Sequence, residues 1–233
     1  MRQLTFLSVC CLLLVGHIKA VAAPALTNGD FSAGLTSWTT QNSGDGDDTG
    51  VVWIVDNPGG SNQLTNNGVS SGPASRVVYQ DFVVPASGVS TASFSFDYFA
   101  NNGGALNSNS FTTFVNNPFG GNNGTRIDII SPADNVFSGP VLLNLFAPVD
   151  GAPVGTELAP LPNTFSDAAA LASFLNARAG QTLRLRIGNR EEDFPWSTGF
   201  DNLNLDIVAL APPPPPAPGP ATAIPTLPAY GLA

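Results

Sequence analysis

The sequence predicts an all-β fold, an antiparallel β-sandwich with one short helix near residues 166–179, and three observations predict it. Gly and Pro are dense, 24 and 21 in a chain of 233 residues, which leaves little room for long helices. Hydrophobic residues reach 43% while charged residues stop at 11%, so the chain can build a core and is neither a coiled coil nor charge-rich disorder. From Pro24 to about Leu210, short β-rich runs alternate with clusters of Gly, Asn, Ser and Asp, the pattern of strands joined by turns. One large domain with tails fits this length.

Taken in order, weak strand candidates lie near Leu26 and Trp38, followed by Val51 to Val55. The clearest strand is Ser75 to Val84, closed by Pro85. In Thr91 to Ala100, Phe94, Phe96 and Tyr98 alternate with Ser95 and Asp97, a period of two with one buried and one wet face. Thr125 to Ile130 and Val141 to Phe146 come next. In Thr182 to Ile187 the alternation puts Leu183, Leu185 and Ile187 inward with Arg184 and Arg186 outward; in Gly199 to Leu210 it puts Leu203, Leu205 and Ile207 inward with Asn202, Asn204 and Asp206 outward. That makes about eight or nine strands.

The single helical signal is Ser166 to Gly180. Ser166 can cap it, Leu171, Phe174 and Leu175 share a face, Arg178 suits the last turn and Gly180 stops it. Such a helix is expected to cover one mouth of the sandwich. The Asn/Gly-rich stretches Asn101 to Asn109 and Asn116 to Asn123 are expected as surface spans, and Asn123-Gly-Thr125 matches the glycosylation acceptor pattern.

Met1 to Ala23 has a basic start at Arg2, an apolar run from Leu4 to Gly16 and the small-residue end Lys19-Ala-Val-Ala-Ala23, the three-part grammar of a secretory signal with cleavage after Ala22. An uncleaved anchor is the alternative, but the apolar run is short of the roughly 20 residues a spanning helix needs. A lipoprotein box at Leu7-Ser-Val-Cys10 is another, but the apolar run continues past the cysteine. Cleavage removes both cysteines, the only His, the only Lys and the only Met. A domain without Cys or His has no disulfide framework, no usual tetrahedral zinc site and no Ser-His or Cys-His nucleophile. With Arg2 and Lys19 gone, a net charge of −9 becomes −11. Nucleic acid is therefore not an expected partner, because its affinity comes from Lys and Arg neutralising phosphates.

After Leu210 comes Ala-Pro-Pro-Pro-Pro-Pro-Ala-Pro-Gly-Pro220, which prefers an extended left-handed helix and acts as a stiff spacer. The expected organisation is a signal peptide over 1–22, a sandwich domain over 23–210, a Pro-rich linker over 211–223 and a C-terminal segment over 224–233.

Two resemblances follow from residues quoted so far and a few more. Thr27-Asn-Gly-Asp-Phe31 with Gly34-Leu-Thr-Ser-Trp38, together with Ala179-Gly-Gln-Thr-Leu-Arg-Leu-Arg186 and Gly199-Phe-Asp-Asn-Leu-Asn-Leu205, resembles the opening and closing strands of carbohydrate-binding-module-like, galactose-binding-like domains. The resemblance spans residues 26 to 208 and implies a sandwich of jelly-roll type, polysaccharide or extracellular matrix as partner, and one structural calcium between first and last strands. Asp30 and Asp201 occupy the matching positions, with Ser32 where those families often carry an acid. Ile224-Pro-Thr-Leu227 and Tyr230-Gly-Leu-Ala233 are similar to the start of the IPTL-type sorting signal of Gram-negative bacteria. Pro228-Ala-Tyr230 stands where Ser-Glu-Trp is usual, and the family's hydrophobic span and basic cluster do not follow, so membrane attachment is expected only through a missing C-terminal anchor. The leader, with these resemblances, leads to the expectation of a protein exported through a signal peptide and secreted or held at the cell surface.

Trp38 reads as a core residue of the first strand. Sugar binding needs exposed flat rings, because a pyranose stacks its C–H face on an aromatic while amides and carboxylates take its hydroxyls. Asn189-Arg-Glu-Glu-Asp-Phe-Pro-Trp196 supplies both kinds of group, so Trp196, Glu191 and Asp193, with Trp53, are the candidate ligand-binding residues; a solvated acidic hairpin is the plainer alternative. Asp45, Asp47 and Asp48 resemble a calcium loop in composition, but no Glu follows at the twelfth position, and a solvated acidic turn remains open. Glu191 and Asp193 would share a face roughly 6.5–7 Å apart, within the range of carboxylate pairs in glycoside hydrolysis, so a glycosidase is the enzymatic alternative. The expectation is a non-catalytic exported surface or matrix protein with polysaccharide as its ligand; the second non-enzymatic reading is a purely structural surface protein.

Overall fold

The computed structural model describes residues 23–43, 53–67, 74–102, 108, 113–115, 123–149, 151–191 and 196–211. They form two antiparallel sheets. In the first, β3 (Ile54–Asp56), β4 (Gln63–Asn67), β11 (Trp196–Ala209), β6 (Val89–Asn102) and β9 (Leu161–Thr164) lie side by side, and β1 (Ala23–Pro24) pairs with the far part of β11. In the second the order is β2 (Thr39–Asn42), β5 (Ala74–Val83), β10 (Thr182–Glu191), β7 (Gly124–Ile130) and β8 (Leu143–Phe146). The sheets face each other as an antiparallel β-sandwich of jelly-roll type.

Alternation along the strands fills the space between them. Phe94, Phe96 and Tyr98 of β6 and Phe200 of β11 are buried, and Phe146 completes an aromatic cluster, 4.8 Å from Phe96 and 4.9 Å from Tyr98 between ring centres, separations at which rings attract beyond their area burial. Trp38 is core as expected: its Nε1 donates to the Asn28 carbonyl at 3.0 Å and its ring lies 5.5 Å from Phe31. On β11 both Phe200 and Leu203 face inward, which strict alternation forbids; a bulge between Asp201 and Asn204, with Asn202 at φ 51°, resets the phase.

Two strands escaped the periodicity. β4 (Gln-Leu-Thr-Asn-Asn) is amide-rich, and β9 contains Pro162, which is tolerated because β9 is an edge strand.

Two glycines let the sheets be covered from outside. A Cβ on Gly188 of β10 would run into the Phe114 ring, and one on Gly199 of β11 into the Phe99 ring, so each central strand has a socket for a phenyl group.

Helix α1 (Ala168–Asn176) closes one end. Its cap is Asp167, one residue later than the expected Ser166; the Asp167 carboxylate accepts from the Ala170 N–H at 2.8 Å. Leu171 and Leu175 are buried, Arg178 stacks 3.9 Å from the Phe174 ring centre, and Asn176 Oδ1 accepts from the Val89 N–H at 3.1 Å. At the opposite end β2, β4, β6 and β10 finish while β3, β5, β7 and β11 begin.

Candidate functional site

That opposite end is built differently from the rest of the core. Just inside it the two sheets present polar residues to each other: Asn66 and Thr198 from the first, Arg76, Thr125 and Asn189 from the second, all buried. The Asn189 Nδ2 donates to Asn66 Oδ1 at 2.9 Å, joining the sheets, and Arg76 Nη1 donates to Glu191 Oε2 at 3.0 Å with both side chains essentially inaccessible. Trp53 Nε1, Asn66 Nδ2 and Asn189 Oδ1 have no partner among the described residues. An unmet buried polar atom costs about 1–3 kcal/mol, and these three lie at the same end of the sandwich, beside the Asn66–Asn189 bond.

Of the sequence-predicted ligand residues, Trp53 and Glu191 meet this layer, but not as an exposed platform. Trp53 is 0% exposed and lies 6.2 Å from Phe200, so its ring is part of the core and offers no face for stacking. Glu191 is 1% exposed and paired with Arg76, so its carboxylate is turned into the core rather than presented to solvent. Trp196 opens β11 opposite Asn102, its side chain outside the described residues, as are Asp193, the Asp45, Asp47 and Asp48 turn, the leader over 1–22 and everything past residue 211. Asn123 is 2% exposed and Thr125 0%, so the glycosylation acceptor is closed off by the fold.

Charge is also buried on the outer face of the second sheet. Arg186, expected outward and wet, is fully buried: its Nη2 donates to Asp128 Oδ2 at 3.0 Å, its Nη1 to the Val136 carbonyl at 2.9 Å, and its guanidinium sits 4.7 Å from the Phe114 ring centre. Arg126 joins through Asp128 Oδ1 at 2.9 Å. Burial lowers the proton affinity of Arg186 and Asp128 opposes it. Arg184, the next outward position, does face water; it forks onto Asp81 at 2.6 and 3.0 Å and stacks 4.1 Å from the Tyr79 ring centre, and the Asp81 hydrogen bonds raise its proton affinity. A signal for this cluster exists in the sequence, since a strand bearing Arg-x-Arg pairs with one bearing Arg-x-Asp.

The proposed calcium residues lie where the first turn crosses the bulge of β11. Gly29 packs so closely that a Cβ would strike the Leu203 carbonyl, while the Leu203 N–H donates to the Gly29 carbonyl at 2.9 Å. Asp201 is 3% exposed and accepts from Ser61 Oγ and the Asn202 N–H, both at 2.7 Å; Asp97, directly across the ladder, accepts from Asn202 Nδ2 at 2.7 Å; exposed Asp30 accepts from Ser32. Burial pushes the Asp201 carboxyl above the usual carboxylate range, the two hydrogen bonds oppose this, and Asp97 and Asp30 add repulsion. A cation suits the electrostatics of this seam. The donor set is less suited, because protein N–H and O–H groups already occupy oxygens of all three carboxylates, and no group of three or more His, Cys, Asp or Glu is arranged around an ion among the described residues.

No model of a known protein family matches the chain, and no curated protein does. Among solved structures the chain is similar to TmCBM61 in complex with β-1,4-galactotriose (12% identity, TM-score 0.44, 78% of this chain and 97% of that one). It is also similar to a carbohydrate-binding module of the β-sandwich superfamily described as promiscuous in specificity (14%, 0.46, 76% and 60%) and to a cyclase from Fischerella sp. TAU (15%, 0.40, 82% and 99%).

Proposed function

We propose that the protein is a non-catalytic, exported polysaccharide-binding sandwich of the cell surface or extracellular matrix, binding through the end opposite helix α1. The observation that carries the reading is the buried polar layer there, with an indole N–H, two amide groups short of partners and an arginine–carboxylate pair beneath the strand ends of β2–β3, β4–β5, β6–β7 and β10–β11. These groups are buried; they make this the polar end of the sandwich, and the strand ends above them are where a hydroxyl-rich ligand is proposed to bind. The glycosidase reading has less support, since Glu191 of the Glu191–Asp193 pair is buried against Arg76. A structural calcium held by Asp30 and Asp201 is a second part of the proposal, supported by the mutual repulsion of the carboxylates at that seam; such an ion would supply countercharge and tie the first turn to β11.

The test is retention on insoluble glycans and a glycan array. Trp196→Ala is expected to weaken retention with little change in Tm, because a ring that contributes to binding need not fill the core. A purely structural surface protein predicts no retention before or after the change. An enzyme predicts released reducing ends that disappear in Glu191→Gln. A blank array, or a Trp196→Ala protein that unfolds, sinks the proposal.

A further inference from the structure

A concave feature lies on the flank of the first sheet. The chain ahead of β9 makes a tight turn in which the Thr156 N–H donates to the Ala159 carbonyl and the Ala159 N–H to the Thr156 carbonyl, each at 3.0 Å, leaving Glu157 and Leu158 at its tip. The turn is pinned three times over. Gln63 Nε2 donates to the Glu157 carbonyl at 2.8 Å, Gly155 forms a parallel bridge with Phe99, and Gly155 is wedged so tightly against 159–161 that a Cβ would collide with their backbone. Leu158, on this fixed tip, is 72% exposed, the highest value among the large hydrophobic side chains of the described residues. Beside it opens a cleft of about 530 Å³ lined by Ala100, Asn101, Gly155, Thr156, Glu157 and Leu158.

We propose that this cleft is a subsite for a neutral sugar unit, with Leu158 as its apolar wall and Asn101 and Glu157 as partners for ring hydroxyls. The inference rests on the polysaccharide reading above and adds a location and a charge selectivity to it. The volume falls within the range of roughly 300–1,000 Å³ typical of small-molecule sites. An apolar wall facing an amide and a carboxylate suits a molecule with one C–H face and a rim of hydroxyls. A wall held by a pinned turn loses little conformational freedom on binding, which favours recognition over an accidental exposed Leu. Among the described residues no base lines the cleft, and the chain carries a formal charge of −9, so the carboxylate of an acidic sugar meets Glu157 with repulsion.

The experiment is calorimetric titration of the secreted protein with soluble neutral tetrasaccharides of glucose, mannose and galactose, and with a tetra-uronate. Asn101→Ala and Leu158→Ser are each expected to lower affinity for the bound neutral probe roughly tenfold, with Tm unchanged because both side chains are exposed. Val83→Ser, on an exposed site of the other sheet, should bind like the wild type. Glu157→Gln should raise affinity for the tetra-uronate. If Asn101→Ala and Leu158→Ser bind normally while Trp196→Ala does not, the cleft is overturned and the polysaccharide reading stands. If no probe binds and no insoluble glycan retains the protein, both fall. Preference of the wild type for the tetra-uronate overturns the charge argument.

Discussion

Asp201→Asn separates the two forces at the bulge of β11. The carboxylate is buried, faces Asp97 across the ladder and feels Asp30, with hydrogen bonds from Ser61 and Asn202 as compensation. Its folded pKa is raised, so the folded state binds the proton more tightly than the unfolded chain does. Stability is therefore expected to rise as pH falls from that raised value toward about 3.9, the ordinary aspartate value, and to stay flat above the window. The amide keeps an acceptor for the Asn202 N–H and can donate to Ser61 Oγ. It also removes a like-charge pair directly opposite in a ladder, worth roughly 0.2–1 kcal/mol. In chelator at pH 7, Asp201→Asn should match or exceed the wild-type Tm, and the pH window should vanish.

Calcium reverses the order. An ion bound only by the folded chain at a hundred times its Kd stabilises by about 2.7 kcal/mol, which at roughly 2–4 °C per kcal/mol for a domain of this size raises Tm by ~5–10 °C. The wild type should show this shift and Asp201→Asn should lose most of it. Scanning calorimetry from pH 3 to 8, with chelator or excess calcium, measures both effects. A wild-type Tm indifferent to calcium removes the ion. A less stable Asp201→Asn in chelator, with no acid window in the wild type, refutes the electrostatic reasoning itself.

Mass spectrometry of secreted protein should find Ala23 at the N-terminus and no thiol; a retained 1–22 segment refutes the leader. Gly188→Ala should expel Phe114 from its socket and cost about 1.5–3 kcal/mol of lost phenyl burial, visible as a lower urea midpoint; in a Phe114→Ala background the same change should cost far less, and additive losses would refute the socket. Glu191→Gln should destabilise by roughly 1.5–3 kcal/mol by weakening a buried charge-assisted bond to Arg76, and an unchanged midpoint would show that the pair contributes nothing to folding.

The strands built on strict alternation were legible because one face is core and the other is not. Phe94, Phe96 and Tyr98 in β6 and Leu183, Leu185 and Ile187 in β10 all face inward as their spacing predicts. β4 was not legible because, Leu64 apart, its buried residues, Gln63, Thr65 and Asn66, are polar, and one apolar residue among buried amides and a hydroxyl gives hydropathy no period to read. The same ambiguity governs the site. Trp, Glu and Asn are the residues that recognise sugars and also those that can line a polar layer in a core, so composition does not distinguish an exposed platform from the buried layer in which Trp53 and Glu191 lie.

Arg186 shows what alternation omits. A period of two states which face a side chain occupies, but whether that face is wet depends on segments far away in sequence, here Phe114 and Val136, which come over the second sheet and seal Arg186 against Asp128. The trace such a cover leaves in the sequence is glycine. A glycine inside a strand weakens it and marks the close approach of another group, and Gly188 and Gly199 lie mid-strand in β10 and β11 beneath Phe114 and Phe99. Read that way, Arg-Ile-Gly188 in the chain implies an aromatic laid over the position after next from Arg186, on the same face. Arg186 beneath Phe114 is buried, and its counterion comes from the adjacent strand, where Asp128 lies directly opposite it.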